Sequence, residues 1–276
     1  MINNASGHAV RMLLVLIILG AAAFPIYWML VTSLTPSDQL FADRPQLLPQ
    51  LSQWHVYKEV FAIKPVGTWL FNSAIVAVGT TVASIVLAVF PAYALSRFRF
   101  SGKGALGFGL FTTQMLPEAM LVVPLYAIFG KLALLNTLGG LILANTAFTV
   151  PVVVWILKGA IDGVPQEIEE AARIDGCSRI GIIMTVVVPL IAPTLAAASV
   201  IAFFHGWNEY VFAQTFVNEE RLHTASVGLA SFVGELSTPI DSVMAVAIIY
   251  TLPAVVFYLM VQKHVVAGMT AGGVKG

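Results

Sequence analysis

Long apolar stretches separated by short charged clusters dominate the pattern of this chain. Charge is absent between Arg11 and Asp38, Lys64 and Arg97, Lys131 and Lys158, Arg179 and Glu209, and Asp241 and Lys263. A sixth stretch, from Lys103 to Lys131, contains one charge, Glu118. Because about 20 apolar residues cross the hydrocarbon of a bilayer and a central charge is costly, the pattern predicts six transmembrane helices. We place these spans at residues 12–34, 69–95, 105–129, 138–157, 190–212 and 243–261.

The first apolar stretch lies where a secretory signal peptide would lie. It is about twice as long as the apolar region of such a signal, and Pro25, Tyr27 and Trp28 replace the small residues of a cleavage site. We therefore expect a retained helix and one all-α transmembrane domain over residues 1–276.

Composition supports a membrane protein and excludes other classes. Hydrophobic residues make up 58% of the chain and charged residues 10%, against roughly 45–50% and 25% in soluble domains. The mean hydropathy is +0.89. Equal numbers of basic and acidic residues, 14 each, argue against a nucleic-acid partner. With Cys177 as the only cysteine, we expect neither an internal disulfide nor a metal site.

The distribution of lysine and arginine predicts the orientation. With six spans both termini lie on one side, which then holds nine of the 14 basic residues. The short loop with Arg97, Arg99 and Lys103 carries only positive charge. Since short cytoplasmic loops are enriched in basic residues, we expect both termini in the cytoplasm.

The predicted cytoplasmic loop, residues 158–189, contains a helix signal. Pro165 is suited to a helix start, Glu167, Glu169 and Glu170 follow near the positive end of the helix dipole, and Gly176 can end the helix. An isolated helix of this length is marginal in water. Two interpretations follow: an amphipathic loop on the bilayer surface, or a helix docked into a partner's groove.

The loop resembles a known motif. Glu170-Ala171-Ala172, three residues, Gly176, nine residues, Val186, one residue and Val188-Pro189 match the EAA loop of ABC importer permeases, with valine in place of isoleucine and leucine. Gln114-Met115-Leu116-Pro117, Trp207-Asn208-Glu209 and the ending Gly268–Gly276 are also similar to carbohydrate-uptake permeases. The chain thus resembles this family over nearly its whole length, and in particular the smaller maltose-type permease.

The resemblance implies an ATPase-coupling role for the loop. In the family, the EAA helix lies in a cleft of a cytosolic ATPase, Glu170 pairs with a basic residue there, Ala171 and Ala172 permit close packing, and Gly176 makes the turn. For Arg173 and Asp175, a partner contact and a solvated surface pair are both open. The full set of implied coupling residues is Glu169, Glu170, Ala171, Ala172, Arg173, Asp175 and Gly176.

The resemblance also implies the partners and the location. They are a second, homologous permease, two ABC ATPase subunits and an external solute-binding protein, in a bacterial inner membrane. The chain lacks a phosphate-binding Gly-x-x-x-x-Gly-Lys-Ser/Thr loop, so we expect no cofactor in it, and ATP and Mg in the ATPase. The tail, Gly272, Gly273, Val274, Lys275 and Gly276, is expected to be non-helical because of its glycines and to contact the ATPase, or else to be a frayed terminus.

Polar and aromatic residues of the spans are candidates for a substrate pathway, since such residues in a membrane are functional by default. Interhelical hydrogen bonds and interfacial anchoring are the alternatives. The candidates are Asn72, Gln114, Glu118, Asn145, Trp155, Trp207, Asn208, Glu209 and Tyr210.

Three other functions are alternatives to a sugar permease. An ABC permease for another solute is the nearest. A self-contained channel or secondary transporter would not need an EAA loop, and the sequence shows no inverted repeat. For a membrane enzyme we find no His-Glu-x-x-His or Gly-x-Ser-x-Gly motif, and the five histidines lack metal-ligand spacing.

Overall fold

The computed structural model describes residues 4–42, 46–234 and 238–273, and every regular element within these ranges is helical. The thirteen α-helices in these ranges are α1 (Asn4–Ser33), α2 (Val56–Ile63), α3 (Val66–Arg97), α4 (Lys103–Thr113), α5 (Glu118–Lys131), α6 (Leu138–Asp162), α7 (Gln166–Ile174), α8 (Arg179–Gly181), α9 (Val188–Leu190), α10 (Ala192–Asn208), α11 (Val211–Phe216), α12 (Ala225–Ala230) and α13 (Ile240–Gly273). Two 3₁₀ turns, Leu51–His55 and Glu220–Leu222, and a π-helical segment, Ile182–Val187, complete the described elements.

Four helices are long and apolar enough to cross a bilayer. They are α1, α3, α6 and α13, with apolar segments Val10–Ser33, Val66–Arg97, Leu138–Asp162 and Ile240–Lys263. They correspond to the first, second, fourth and sixth predicted spans. Two bent helix pairs are also long and apolar enough when each pair is taken together. The described chain therefore holds four to six candidate spans.

The third and fifth predicted spans are not single straight helices. Lys103–Thr113 and Glu118–Lys131 meet at 99°, and Arg179–Leu190 and Ala192–Asn208 meet at 83°. Pro117 precedes the second helix of the first pair, and Pro193 lies in the first turn of α10. Proline lacks an amide hydrogen and clashes with the preceding turn, so continuous helix is disfavoured at both positions.

The contacts divide the chain into two units, the first formed by Met1–Val66 and Leu229–Leu252. Its buried residues include Val31 and Leu34 near the end of α1, and Val56 and Val60 on α2. The Ser33 and Tyr57 hydroxyls lie 2.8 Å apart and join the two helices. Most of the apolar segment of α1 is exposed, as expected for a surface in contact with lipid.

The second unit, Gly67–Gly228 and Pro253–Gly276, contains two cores. The first core joins α3, α6, α10 and the segment before α10, and small residues such as Ala88, Ala92, Ala198 and Ala202 allow close approach of its helices. The second surrounds Phe129, Phe212 and Phe216, whose rings lie 5.0 to 5.3 Å apart in successive pairs. The first core includes Leu95 near the end of α3 and Ile161 near the end of α6, next to the predicted coupling loop.

The last helix corrects one expectation. Helix α13 continues through Gly272 and Gly273, where the glycines predicted no helix. Extending an existing helix by one residue needs no new nucleation, so the unfavourable propensity of glycine is tolerated at its end.

Candidate functional site

Helix α7 is a short surface helix with well-defined ends. Pro165 occupies its N-terminal cap position in an extended conformation, and Glu167 and Glu169 lie in its first turn, where the helix dipole favours negative charge. At the other end, Gly176 has a φ of +88°, a left-handed conformation that favours glycine. The Cys177 amide donates to the Ala172 carbonyl at 3.0 Å and that of Gly176 to Arg173 at 3.1 Å. This is the Schellman arrangement, and it confirms the predicted role of Gly176 in ending the helix.

The outer side of α7 combines charge, small residues and one large apolar side chain. Glu170, Ala171, Arg173 and Asp175 are exposed, and Ile174 is 87% exposed. Ala172 turns inward and packs against the first core of the second unit. An exposed isoleucine flanked by charges on a nine-residue helix is a surface suited to a protein partner.

Glu169 is buried, whereas its neighbour Glu170 is exposed. Glu169 is 3% exposed, and its Oε1 lies 2.7 Å from Nε of Arg97, the last residue of α3. The Tyr93 hydroxyl donates to Glu169 Oε2 at 2.7 Å. This differs from the expectation that Glu169 belongs to the partner-facing side, because both of its carboxylate oxygens are already bonded within the chain.

Arg97 and Tyr93 are the residues that the sequence did not identify. Arg97 entered the sequence argument only as a basic residue near a span end, and Tyr93 did not enter it. One signal was available: Arg97 ends a 32-residue helix and directly follows its apolar part. An arginine so placed needs either water or an acidic partner.

Two predicted pathway residues make hydrogen bonds inside the second unit. The Asn72 amide donates to the carbonyls of Arg221 and His223, both at 2.9 Å. The Glu209 carboxylate accepts from the amides of Phe212 at 2.6 Å and Ala213 at 2.9 Å. These contacts fit the structural alternative for Asn72 and Glu209, whose pathway role remains a prediction.

Glu118 and Gln114 lie at the bend between α4 and α5. Glu118 Oε1 is 3.8 Å from Nε2 of His205, and the Glu118 side chain is 40% exposed. Gln114 donates to the Phe148 carbonyl at 3.1 Å. The structure therefore places His205 next to Glu118, one of the predicted pathway residues.

Of four further candidates, two are buried and two are exposed. Asn145 is buried and donates to the Leu141 carbonyl at 2.8 Å. Trp207 is buried and stacks on Phe203 with ring centres 5.7 Å apart. Asn208 and Tyr210 are exposed.

Trp155 borders an apolar cavity of about 720 Å³ with Gln114 at its edge. Gly107, Phe108, Phe111, Val152 and Ile156 complete the lining. At the other end of the ring, Lys158 Nζ lies 5.9 Å from the Trp155 centroid. Trp155 and Gln114 thus border the same cavity.

Of the predicted tail contacts, Gly272 and Gly273 lie in α13. Val274, Lys275 and Gly276 lie outside the described residues.

Comparison with known families gives one match over most of the chain. Residues 81–271 match the family described as binding-protein-dependent transport system inner membrane component.

Curated relatives cover nearly the full length of the chain. The sulfoquinovosyl glycerol transport system permease protein SmoH of Agrobacterium fabrum is 34% identical, over 98% of this chain and 95% of its own. The trehalose/maltose transport system permease protein MalG of Thermococcus litoralis is 35% identical, and the alignment covers 95% of this chain and 97% of MalG. The inner membrane ABC transporter permease protein YcjP of Escherichia coli is 36% identical, and the alignment covers 92% of this chain and 91% of YcjP.

Among solved structures, a chain of a bacterial ABC transporter that imports the acidic polysaccharide alginate has the same fold. It aligns with a TM-score of 0.78 at 23% identity, over 96% of this chain and 99% of that one.

Proposed function

This chain belongs to the family of binding-protein-dependent transport system inner membrane components, and from that premise we propose that it is the permease subunit of an ATP-driven importer for a sugar or sugar derivative. The observation that carries the coupling part of the proposal is α7. A buried ion pair between Arg97 and Glu169 joins this helix to the end of α3. Its exposed residues include Glu170, Arg173 and Ile174. The chain itself is a multi-pass inner-membrane transport component and not an enzyme.

The sugar part of the proposal rests on the relatives. Their names specify sulfoquinovosyl glycerol and trehalose/maltose, and a further relative in Streptomyces coelicolor, 31% identical, is a diacetylchitobiose uptake permease. All three substrates carry several hydroxyl groups on pyranose rings. A non-sugar solute is the second candidate within the same family.

The proposed topology has six spans with both termini in the cytoplasm. Each bent pair then contributes one span, the second of which begins near Leu190, and the loop with α7 lies on the cytoplasmic face together with Arg97 and Arg99. Non-helical backbone at membrane depth is tolerated where it is enclosed by protein or lines a cavity. The bends before Glu118 and after Leu190 would then face other helices or the translocation path.

The proposed assembly contains this chain, a homologous second permease, two ABC ATPase subunits and an external solute-binding protein. Glu170 would pair with a basic residue of an ATPase, Ala171 would permit close approach, and Ile174 would enter an apolar part of its cleft. ATP and Mg would be bound by the ATPase alone. The chain end, Gly272–Gly276, would form a second contact with the ATPases.

The experiment that tests this proposal is purification of a tagged chain from its native membrane in a mild detergent. We expect an ATPase with a phosphate-binding loop and a second permease to co-purify, and ATP hydrolysis to be stimulated by the loaded binding protein. A panel of sugars and non-sugar solutes bound to that protein would then identify the substrate. Recovery of this chain alone, in a detergent that keeps a known importer intact, would contradict the assembly.

A further inference from the structure

The end of α3 is joined to α7 by a buried group of polar side chains. Arg97 donates from all three guanidinium nitrogens: Nε to Glu169 Oε1 at 2.7 Å, one terminal nitrogen to the Val164 carbonyl at 2.7 Å, and the other to the Ser96 hydroxyl at 3.4 Å. Val164 lies in the link between α6 and α7. One side chain at the end of a 32-residue helix thus holds both the start of the coupling loop and the helix within it.

Each carboxylate oxygen of Glu169 accepts one hydrogen bond in this arrangement. The side chains of Arg97 and Glu169 are only 8% and 4% exposed, and the second carboxylate oxygen accepts from Tyr93, one turn before Arg97 on α3. We call Tyr93, Arg97 and Glu169 the latch. A buried ion pair adds little net stability compared with apolar packing, but it permits only one geometry. The ion pair therefore serves to fix the orientation of α7 relative to α3 and adds little stability.

A neighbouring contact ties the end of α6 to the same place. The Ser96 hydroxyl donates to Asp162 at 2.6 Å, and Lys158 bonds the other oxygen of Asp162 at 2.6 Å. The end of α3 therefore contacts the last turn of α6, the α6–α7 link and α7. Ala172 adds an apolar contact between α7 and the first core.

We infer that the latch is the element that transmits movement of α7 to the membrane helix α3, with Arg97 and Glu169 as positioning residues. Apolar contacts are non-directional, so the packing of α7 against the first core and the segment Ile182–Val187 would by itself let α7 rotate or slide when a partner pulls on it. The latch forces the end of α3 to follow. This inference rests on the proposed function, because it gives α7 a partner that moves it.

The test uses the complete transporter in proteoliposomes and measures sugar uptake per ATP hydrolysed. Glu169→Gln removes the charge opposite Arg97, and Tyr93→Phe removes one hydrogen bond and keeps the ring packing. Glu167→Gln is the matched control, since Glu167 lies exposed on the same helix. The amount of assembled complex is measured for each variant.

We expect Tyr93→Phe to lower uptake per ATP about two- to tenfold, the range that corresponds to one net hydrogen bond. Glu169→Gln should lower the same ratio further while ATP hydrolysis continues. The control should match the unmodified chain in both quantities.

Several outcomes would overturn the inference. An unchanged ratio in both latch variants would do so, and so would a loss of assembled complex with a normal ratio in what remains, since that defines a purely structural role. If Glu169→Gln fails to assemble, an unchanged ratio in Tyr93→Phe suffices. Failure of the proposed function has a separate signature: the unmodified chain would then show no sugar-dependent ATP hydrolysis.

Discussion

Two adjacent glutamates of α7 have opposite environments. Glu169 is buried against Arg97 and Tyr93, and Glu170 is exposed. Successive residues of an α-helix point about 100° apart. A shift of one position along the helix is therefore enough to move a carboxylate from a buried contact to the exposed surface. The roles we assign follow from this difference: Glu169 positions the helix within its own chain, and Glu170 meets the partner.

Glu170→Arg should abolish productive ATPase coupling. An arginine at this exposed position meets the basic partner residue that we propose, and like charges at such an interface cost several kcal/mol, which is of order 100-fold or more in affinity. Co-purification of the ATPase and sugar-stimulated ATP hydrolysis measure the effect.

Glu167→Arg is the control for this variant, because it makes the same charge change on the same helix at another exposed position. Insertion into the membrane should be normal for both variants. Unchanged sugar-stimulated hydrolysis in Glu170→Arg would exclude a coupling role for Glu170.

At the residue scale, local signals were readable from the sequence and distant pairs were not. Pro165 and Gly176 predicted the ends of α7 because proline and glycine restrict or permit backbone angles wherever they occur. The contact between Arg97 and Glu169 joins residues 72 positions apart. Such a pair depends on how α3, α6 and α7 pack, which no local pattern contains.

Among the elements, the membrane helices were predicted by length and charge, and the bends were not. A charge-free window sets where a span can lie, because the cost of a buried charge does not depend on whether the helix is straight. The bends of 99° and 83° require a packing partner for each half-helix. Proline marked possible positions, but Pro91, Pro151 and Pro253 lie inside continuous helices.

Helix α11 gives a prediction about an element. Its first amides are bonded by the Glu209 side chain, which the sequence suggested as a pathway residue. Glu209→Ala leaves those amides without their carboxylate acceptor and should destabilise the protein by about 1–2 kcal/mol, the usual cost of a lost helix cap. Thermal unfolding in detergent measures this loss.

Gln214→Ala is the matched control, because Gln214 is an exposed residue of the same short helix. Its unfolding midpoint should stay close to that of the unmodified chain. If Glu209→Ala instead unfolds normally and loses uptake, Glu209 acts on the substrate and not on the helix.

At the scale of the whole molecule, the orientation in the membrane can be tested with single cysteines. In a Cys177→Ser background, Ser101→Cys should be protected from a membrane-impermeant maleimide in right-side-out vesicles, and Asn218→Cys should react. The reason is that the proposed topology places the basic loop after α3 inside and the segment after α11 outside.

Permeabilised vesicles are the control for this experiment, since both cysteines should then react. The opposite pattern in sealed vesicles, with residue 101 labelled and residue 218 protected, would reverse the topology and remove α7 from the cytoplasm.

The class of the whole molecule was clear from the sequence. The composition of the entire chain indicates a membrane protein, and one long motif indicates the family. The family match confirms that inference. The substrate path was not clear from the sequence, because polar residues in spans serve packing as well as transport. Asn72 and Glu209, for example, are bonded to neighbouring backbone.

The turn after α7 has a practical consequence. The single cysteine of the chain, Cys177, is exposed and follows Gly176 directly. The unmodified protein therefore carries one thiol, and it lies beside the helix that we expect the ATPase to cover. A fluorophore attached there would report docking and release in real time, without background from any other site on this subunit.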